Sequence, residues 1–132
     1  MSEHPNAALH RKAHEVFSKG DMDSVTKMMA DDAVFHSPGK SLISGEFRSR
    51  DAVFSQFFGK MEELSGGTGK IAEQQDYLGN DERSVALFKY DATRSGKSEQ
   101  FGVCEVIRWR SGQIVEEWTY LDDQDQWDTF WS

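Results

Sequence analysis

The chain has 132 residues, 37% of them hydrophobic and 29% charged, enough for one globular domain whose core needs no covalent staples. Its 23 acidic and 15 basic side chains give a formal net charge of -8, so the basic footprint that nucleic acid or an anionic membrane surface requires is missing. A single cysteine, Cys104, excludes a disulfide framework and a CxxC motif, and the stretch MSEHPNAALHRKAH has no apolar core of signal-peptide length, so a cytoplasmic protein is expected.

Asn6 to Lys19 reads as a helix with Leu9, Ala13, Val16 and Phe17 on one face, stopped by Gly20. Asp21 is placed to cap a short second helix carrying Met22, Val25, Met28 and Met29 on one side. Val34 and Phe35 form a short strand closed by Pro38-Gly39, and residues 40–48 read as a loop or a further short strand. Ser49 caps a third helix over 50–64, whose stripe is Val53, Phe54, Phe57, Phe58, Met61 and Leu64, and the segment SGGTG ends it.

From there the period changes to two. Strands are expected over 69–78, 84–94, 99–110 and 113–121, with turns at Asn80-Asp81, Ser95-Gly96 and Ser111-Gly112. Helices followed by a run of antiparallel strands is an α+β order, in one domain covering residues 1–132. The acidic tail DDQDQWDTFWS carries Trp127, Phe130 and Trp131, which are costly to leave in water and should cover a groove or a partner chain.

Alternation along 101–109 puts Phe101, Val103, Glu105, Ile107 and Trp109 on one face and Gly102, Cys104, Val106 and Arg108 on the other. Glu105 is the one acid on the apolar face, and desolvation there should raise its pKa. Along 113–121 one face reads Gln113, Val115, Glu117, Thr119 and Leu121, so a tight hairpin at 111–112 brings Glu117 towards Glu105. Ala86, Phe88, Tyr90 and Ala92 share a face of the strand before them. Because both sheet faces are partly apolar, one should hold the helices and the other a second copy of the chain, giving a homodimer.

Other chemistry is weaker. His10 and His14 have the four-residue spacing of a metal pair, but they are read on the edge of the polar face beside Arg11 and Lys12, and an HExxH carboxylate is missing, so no metal site is expected. His36 reads as a structural histidine at a strand end, and Cys104, among apolar residues, as inert. The glycines of SGGTG follow a helix instead of opening one, unlike a phosphate-binding loop.

The order of elements, with the phrases GDMDSVTKMMADDAVFHSP, SG followed by RDAVFSQFF, and GQIVEEWTYLD, resembles the nuclear-transport-factor-2-like superfamily. Within it the chain is similar to the SnoaL-like polyketide cyclases and the ketosteroid isomerases, from Ala8 to Leu121. The resemblance implies a cone: a curved antiparallel sheet around a pocket closed by three N-terminal-side helices, the cystatin-like or ketosteroid-isomerase-like fold. Ser37 would occupy the position of the isomerases' aspartate base and Ala13 that of their oxyanion tyrosine, while Glu105 would replace their protonated aspartate. In the cyclases an acid/base aspartate would fall at Thr119, and a histidine is common at the position of Glu117.

Two function classes follow. In the first, the chain is an isomerase, cyclase or dehydratase acting on a small apolar carbonyl compound without a cofactor. Glu105 is then the acid or oxyanion donor, Glu117 the base, and Tyr90 and Ser37 hydrogen-bonding groups. Ala13, Phe17, Phe35, Phe54, Phe58, Phe88, Val103 and Thr119 complete the expected wall. In the second, the same fold is a non-catalytic ligand-binding or dimerisation module.

Overall fold

The computed structural model describes residues 3–132, with the backbone alone at 73–75. Helix α1 (Pro5–Ser18) begins with a proline, whose missing N–H costs nothing in a first turn, and the His4 ring accepts from the Asn6 N–H. Asp21 caps α2 (Met22–Lys27) by accepting from the Ser24 N–H at 3.1 Å. The short strand expected at Val34 and Phe35 is the end of a longer one, β1 (Met29–Ser37), paired antiparallel with β2 (Gly45–Arg48).

The expected third helix runs through three consecutive segments: α3 (Arg50–Ala52), a wide π-helical turn (Val53–Phe58) and α4 (Gly59–Ser65). The Gly59 N–H donates to the Phe54 carbonyl five residues back. Such a turn holds more residues than an α-turn, so the side chains after it are rotated relative to a regular 3.6-residue stripe.

β3 (Lys70–Gly79), β4 (Arg83–Arg94), β5 (Lys97–Arg110) and β6 (Gln113–Leu121) form the expected antiparallel run. Ser95-Gly96 and Ser111-Gly112 both have positive φ at each residue, which gives a two-residue hairpin the twist its strands need. The sheet order is β2-β1-β6-β5-β4-β3, and the β1–β6 contact is parallel, so the six-stranded sheet is mixed at that one junction. The tail forms α5 (Gln124–Phe130), capped by Asp123.

α1 crosses β3 and β4 on the inner face, while α5 packs on β5 and β6 of its own chain. Trp127 meets Phe101 edge-on at 4.8 Å, and the Arg94 guanidinium donates to the Phe130 carbonyl at 2.8 Å. The tail aromatics therefore close their own domain. None of the helices among the described residues is long and apolar enough to cross a membrane.

The outer face carries a cross-strand row, Leu78–Val85–Val106–Trp118–His36, each residue registered with the next. His36 points outward, stacked on Trp118 and bonded to Glu116 at 2.6 Å, in the structural role expected for it. Cys104 lies on the same face, and burial followed by the nearby Glu105 charge pushes its thiol pKa up, as an unreactive cysteine requires.

Candidate active site

Between the helices and the inner face lies a cavity of about 300 Å³, walled by aromatic and aliphatic side chains and lined with three acids, Glu62, Glu105 and Glu117. No lysine or arginine among the described residues lines it. Glu105 faces Thr119 across the β5–β6 ladder, and Glu117 faces Ile107, so the two acids are diagonal neighbours on one sheet face. The tight hairpin read from Ser111-Gly112 makes this approach. A bulge between Arg108 and Trp109 changes the parity at the start of β6, so Ile114, not Gln113, joins the inner face.

The expected place of His10 and His14 is overturned. Both are buried, at 0% and 6% exposure, because α1 turns the stripe Ala7–His10–His14–Phe17 inward. His10 Nε2 and His14 Nε2 stand 2.7 and 2.8 Å from the same oxygen, Oε1 of Glu105. Behind them, His10 Nδ1 meets Ser84 Oγ at 2.7 Å and His14 Nδ1 meets the Tyr77 hydroxyl at 2.8 Å.

Hydrogen-bond supply assigns the His10 tautomer. The Trp109 indole donates to Ser84 Oγ at 2.7 Å, and the only other partner of that hydroxyl among the described residues is His10 Nδ1. Ser84 therefore gives its proton to Nδ1, and His10 carries its own proton on Nε2, aimed at Glu105. Burial lowers the His10 pKa, which keeps the ring neutral.

The expected rise in the Glu105 pKa is reversed. Burial alone would raise it, but the pull of His14 and the two imidazole hydrogen bonds outweigh that and hold the carboxyl well below the ordinary range. Glu105, expected as the acid or oxyanion donor, is thus an ionised acceptor. Glu117 moves the other way. It is 2% exposed, and burial together with the charge of Glu105 pushes its pKa well up. Glu117 also shares a hydrogen bond with Glu105, and the Thr119 hydroxyl donates to its Oε1 at 2.6 Å. Within the pair a proton is therefore held more tightly by Glu117 than by Glu105.

His10, His14 and Glu105 offer ligand atoms that lie within 4.8 Å of one another, a donor set able to take a divalent ion. The N···O separations of 2.7 and 2.8 Å are hydrogen-bond lengths. Ligands of one tetrahedral ion, each at ~2.1 Å from it, stand roughly 3.4 Å apart.

Of the other expected residues, Ala13, Phe17, Phe35, Phe58, Phe88, Val103, Thr119 and Tyr90 line the cavity. Phe54 does not; the π-helical turn takes it off the wall, where it packs on Phe58 at 5.7 Å, and Phe57 is presented instead. Ser37 also lies off the wall, buried beside Gly45 with its hydroxyl unpartnered among the described residues. Tyr90 sits four residues along β4 from Ala86, the cross-strand partner of Glu105, and so stands apart from the acid pair. The sequence reading missed His10, His14, Tyr77 and Ser84. The inward stripe was readable from Ala7 and Phe17, which bracket the two histidines at helical spacing.

A family model described as the SnoaL-like domain matches residues 10–117. Among solved structures, Bal32a from a soil-derived mobile gene cassette is 32% identical, with 96% of each chain covered and a TM-score of 0.90. A cystatin-like protein of unknown function from Xanthomonas campestris is 26% identical over 95% of this chain and 96% of its own, with a TM-score of 0.89. IdmH, a candidate polyketide cyclase from Streptomyces antibioticus, shares the fold at 19% identity, 90% and 93% coverage and a TM-score of 0.72. An uncharacterized protein of Mycobacterium tuberculosis is 24% identical over the whole of both chains.

Proposed function

Because the chain belongs to the SnoaL-like domain family, we propose that its cavity is an acid/base site for a small, neutral, largely apolar carbonyl compound, with isomerase, cyclase or dehydratase chemistry. The observation that carries this reading is the pair of neighbouring carboxyls, whose pKa values are pushed in opposite directions, at the wall of an apolar cavity. A carboxyl whose pKa is lifted towards the working pH is the one that can trade a proton with a substrate, and one held low cannot.

Glu117 is then the proton-transferring residue. Its O–H donates to the carbonyl oxygen. The carboxylate so formed takes a proton from the adjacent carbon, which leaves the enol and restores the acid. Glu105 is a fixed negative charge that keeps the proton on Glu117, and His10 and His14 are positioning residues that anchor that charge. An anionic substrate would meet Glu105 with no lysine or arginine among the described residues of the wall to offset the repulsion, and this favours a neutral one.

The test is deuterium incorporation next to the carbonyl of bicyclic ketones such as the tetralones, followed by proton NMR in heavy water. The wild-type protein should accelerate exchange over buffer, and Glu117→Gln should lose the acceleration while keeping its circular dichroism. Exchange that survives Glu117→Gln removes that residue from the chemistry. No acceleration with any ketone in the panel returns the cavity to the non-catalytic binding class.

A further inference from the structure

The cavity has a second polar group that the acid pair does not use. Tyr90 lies about 13 Å along β4 from the position facing Glu105, at ~3.3 Å per residue over the four residues from Ala86. Its hydroxyl makes no hydrogen bond among the described residues, although Tyr90 is half-buried and lines the cavity. Burial pushes its pKa up to about 12, so at neutral pH it is a neutral O–H donor.

The surroundings are shaped to this hydroxyl. A Cβ at Gly69 would come within 2.0 Å of the Tyr90 oxygen, so only glycine at that position leaves the ring where it is. Trp127 of α5 lines the same end, its ring centroid 6.2 Å from that of Tyr90, and its indole N–H is buried without a partner among the described residues. A phenylalanine would fill the Tyr90 site without leaving a donor unpaired. The hydroxyl, open to the cavity and without a partner among the described residues, is free to donate to a ligand there.

We propose that the cavity takes an elongated ligand with oxygen functions at both ends, and that Tyr90 donates a hydrogen bond to a neutral acceptor (an ether, carbonyl or phenol oxygen) at the end away from Glu117. This rests on the reading of the cavity as a small-molecule site. It assigns Tyr90 to selection and orientation of the ligand, and it adds a distal subsite to the acid/base pair.

The experiment compares two probes of equal length, 4-hydroxy-4′-methoxybiphenyl and 4-hydroxy-4′-ethylbiphenyl, by isothermal titration. They differ only by an ether oxygen in place of a methylene. The wild-type protein should prefer the methoxy probe by about five-fold, the size expected of one hydrogen bond. Tyr90→Phe should bind both with equal affinity. Gly69→Ala, which displaces the Tyr90 hydroxyl without removing it, should also lose the preference. Equal affinities in the wild type, or a preference that persists in Tyr90→Phe, overturns the distal subsite. Neither result touches the acid/base reading, which the deuterium exchange decides. Failure of the wild type to bind either probe overturns the small-molecule cavity on which both rest.

Discussion

His14 reaches across from α1 to place its Nε2 2.8 Å from Oε1 of Glu105, a residue 91 positions later on β5. With His10 on the same oxygen, this contact makes Glu105 an ionised acceptor and, through it, makes Glu117 the tighter holder of a proton. The chemistry of the cavity depends on this one long-range junction between a helix and a strand.

Removing the shared acceptor should be expensive. Glu105→Ala leaves the Nε2 protons of two buried imidazoles without a partner, and a loss of about 2–4 kcal/mol is expected. Glu105→Gln keeps a carbonyl oxygen for them and should cost less. Urea denaturation of both variants measures the difference, and equal costs would show that the two hydrogen bonds contribute little.

Glu117 should leave an alkaline signature on stability. Its folded pKa lies well above the ordinary value of 4.5, so upward from that value the folded state binds more protons than the unfolded state, and stability falls as pH rises until the folded pKa is passed. Glu117→Gln removes this slope, so the variant should gain on the wild type as pH rises above 4.5, up to the raised folded pKa. Glu105 acts with the opposite sign: its folded pKa is lowered, so its contribution is present above 4.5 and lost as pH falls below it. His10, lowered from 6.5, also costs stability on acidification, since the unfolded chain takes up the proton first. Thermal melts of both proteins across pH test this, and parallel curves would place Glu117 in an ordinary environment.

Ser84 is expected to govern the tautomer of His10. Ser84→Ala strands the Trp109 indole N–H and His10 Nδ1 together, at a cost of about 1–3 kcal/mol for a site that is fully buried. Nitrogen-15 shifts of labelled histidine should then show the His10 proton no longer confined to Nε2. An unchanged tautomer would mean that Glu105 alone sets it.

Trp127 should control cavity size. It is 3% exposed and packs on Phe101 and Trp131, so Trp127→Ala should destabilise by about 3–5 kcal/mol and admit larger ligands than the wild type. Retained stability with an unchanged ligand size range would place α5 outside the wall.

The outer face is proposed to seat a second copy of the chain. Leu78, Leu87 and Tyr120, three of the exposed large hydrophobic residues, lie on that face beside the Val85–Val106–Trp118 row. Arg108 and Glu116 flank the row with opposite charges, an arrangement that a two-fold related copy can match. Val106→Asp should convert a dimer to a monomer in analytical ultracentrifugation while the cavity still binds its probes. A wild-type monomer at high concentration would refute the interface.

Local pattern settled the element types, the turns at 95–96 and 111–112, and the inward faces of β4 and β5, because a period of two or 3.6 and the need for positive φ are properties of a few neighbouring residues. It also placed Glu105 and Glu117 on one sheet face, since hairpin length fixes register. Local pattern could not place Phe54, which lies in a π-helical turn, or Ile114, whose parity depends on a bulge. Above all it put His10 and His14 on the wrong side of α1. A helix's spacing says which residues share a face, but which face turns inward depends on what waits there. Here that is Glu105, Ser84 and Tyr77, brought from strands far along the chain. Which of the two acids holds a proton more tightly was therefore decided only when the chain closed on itself, since a pKa answers to charges and donors within a few ångströms whatever their distance in sequence.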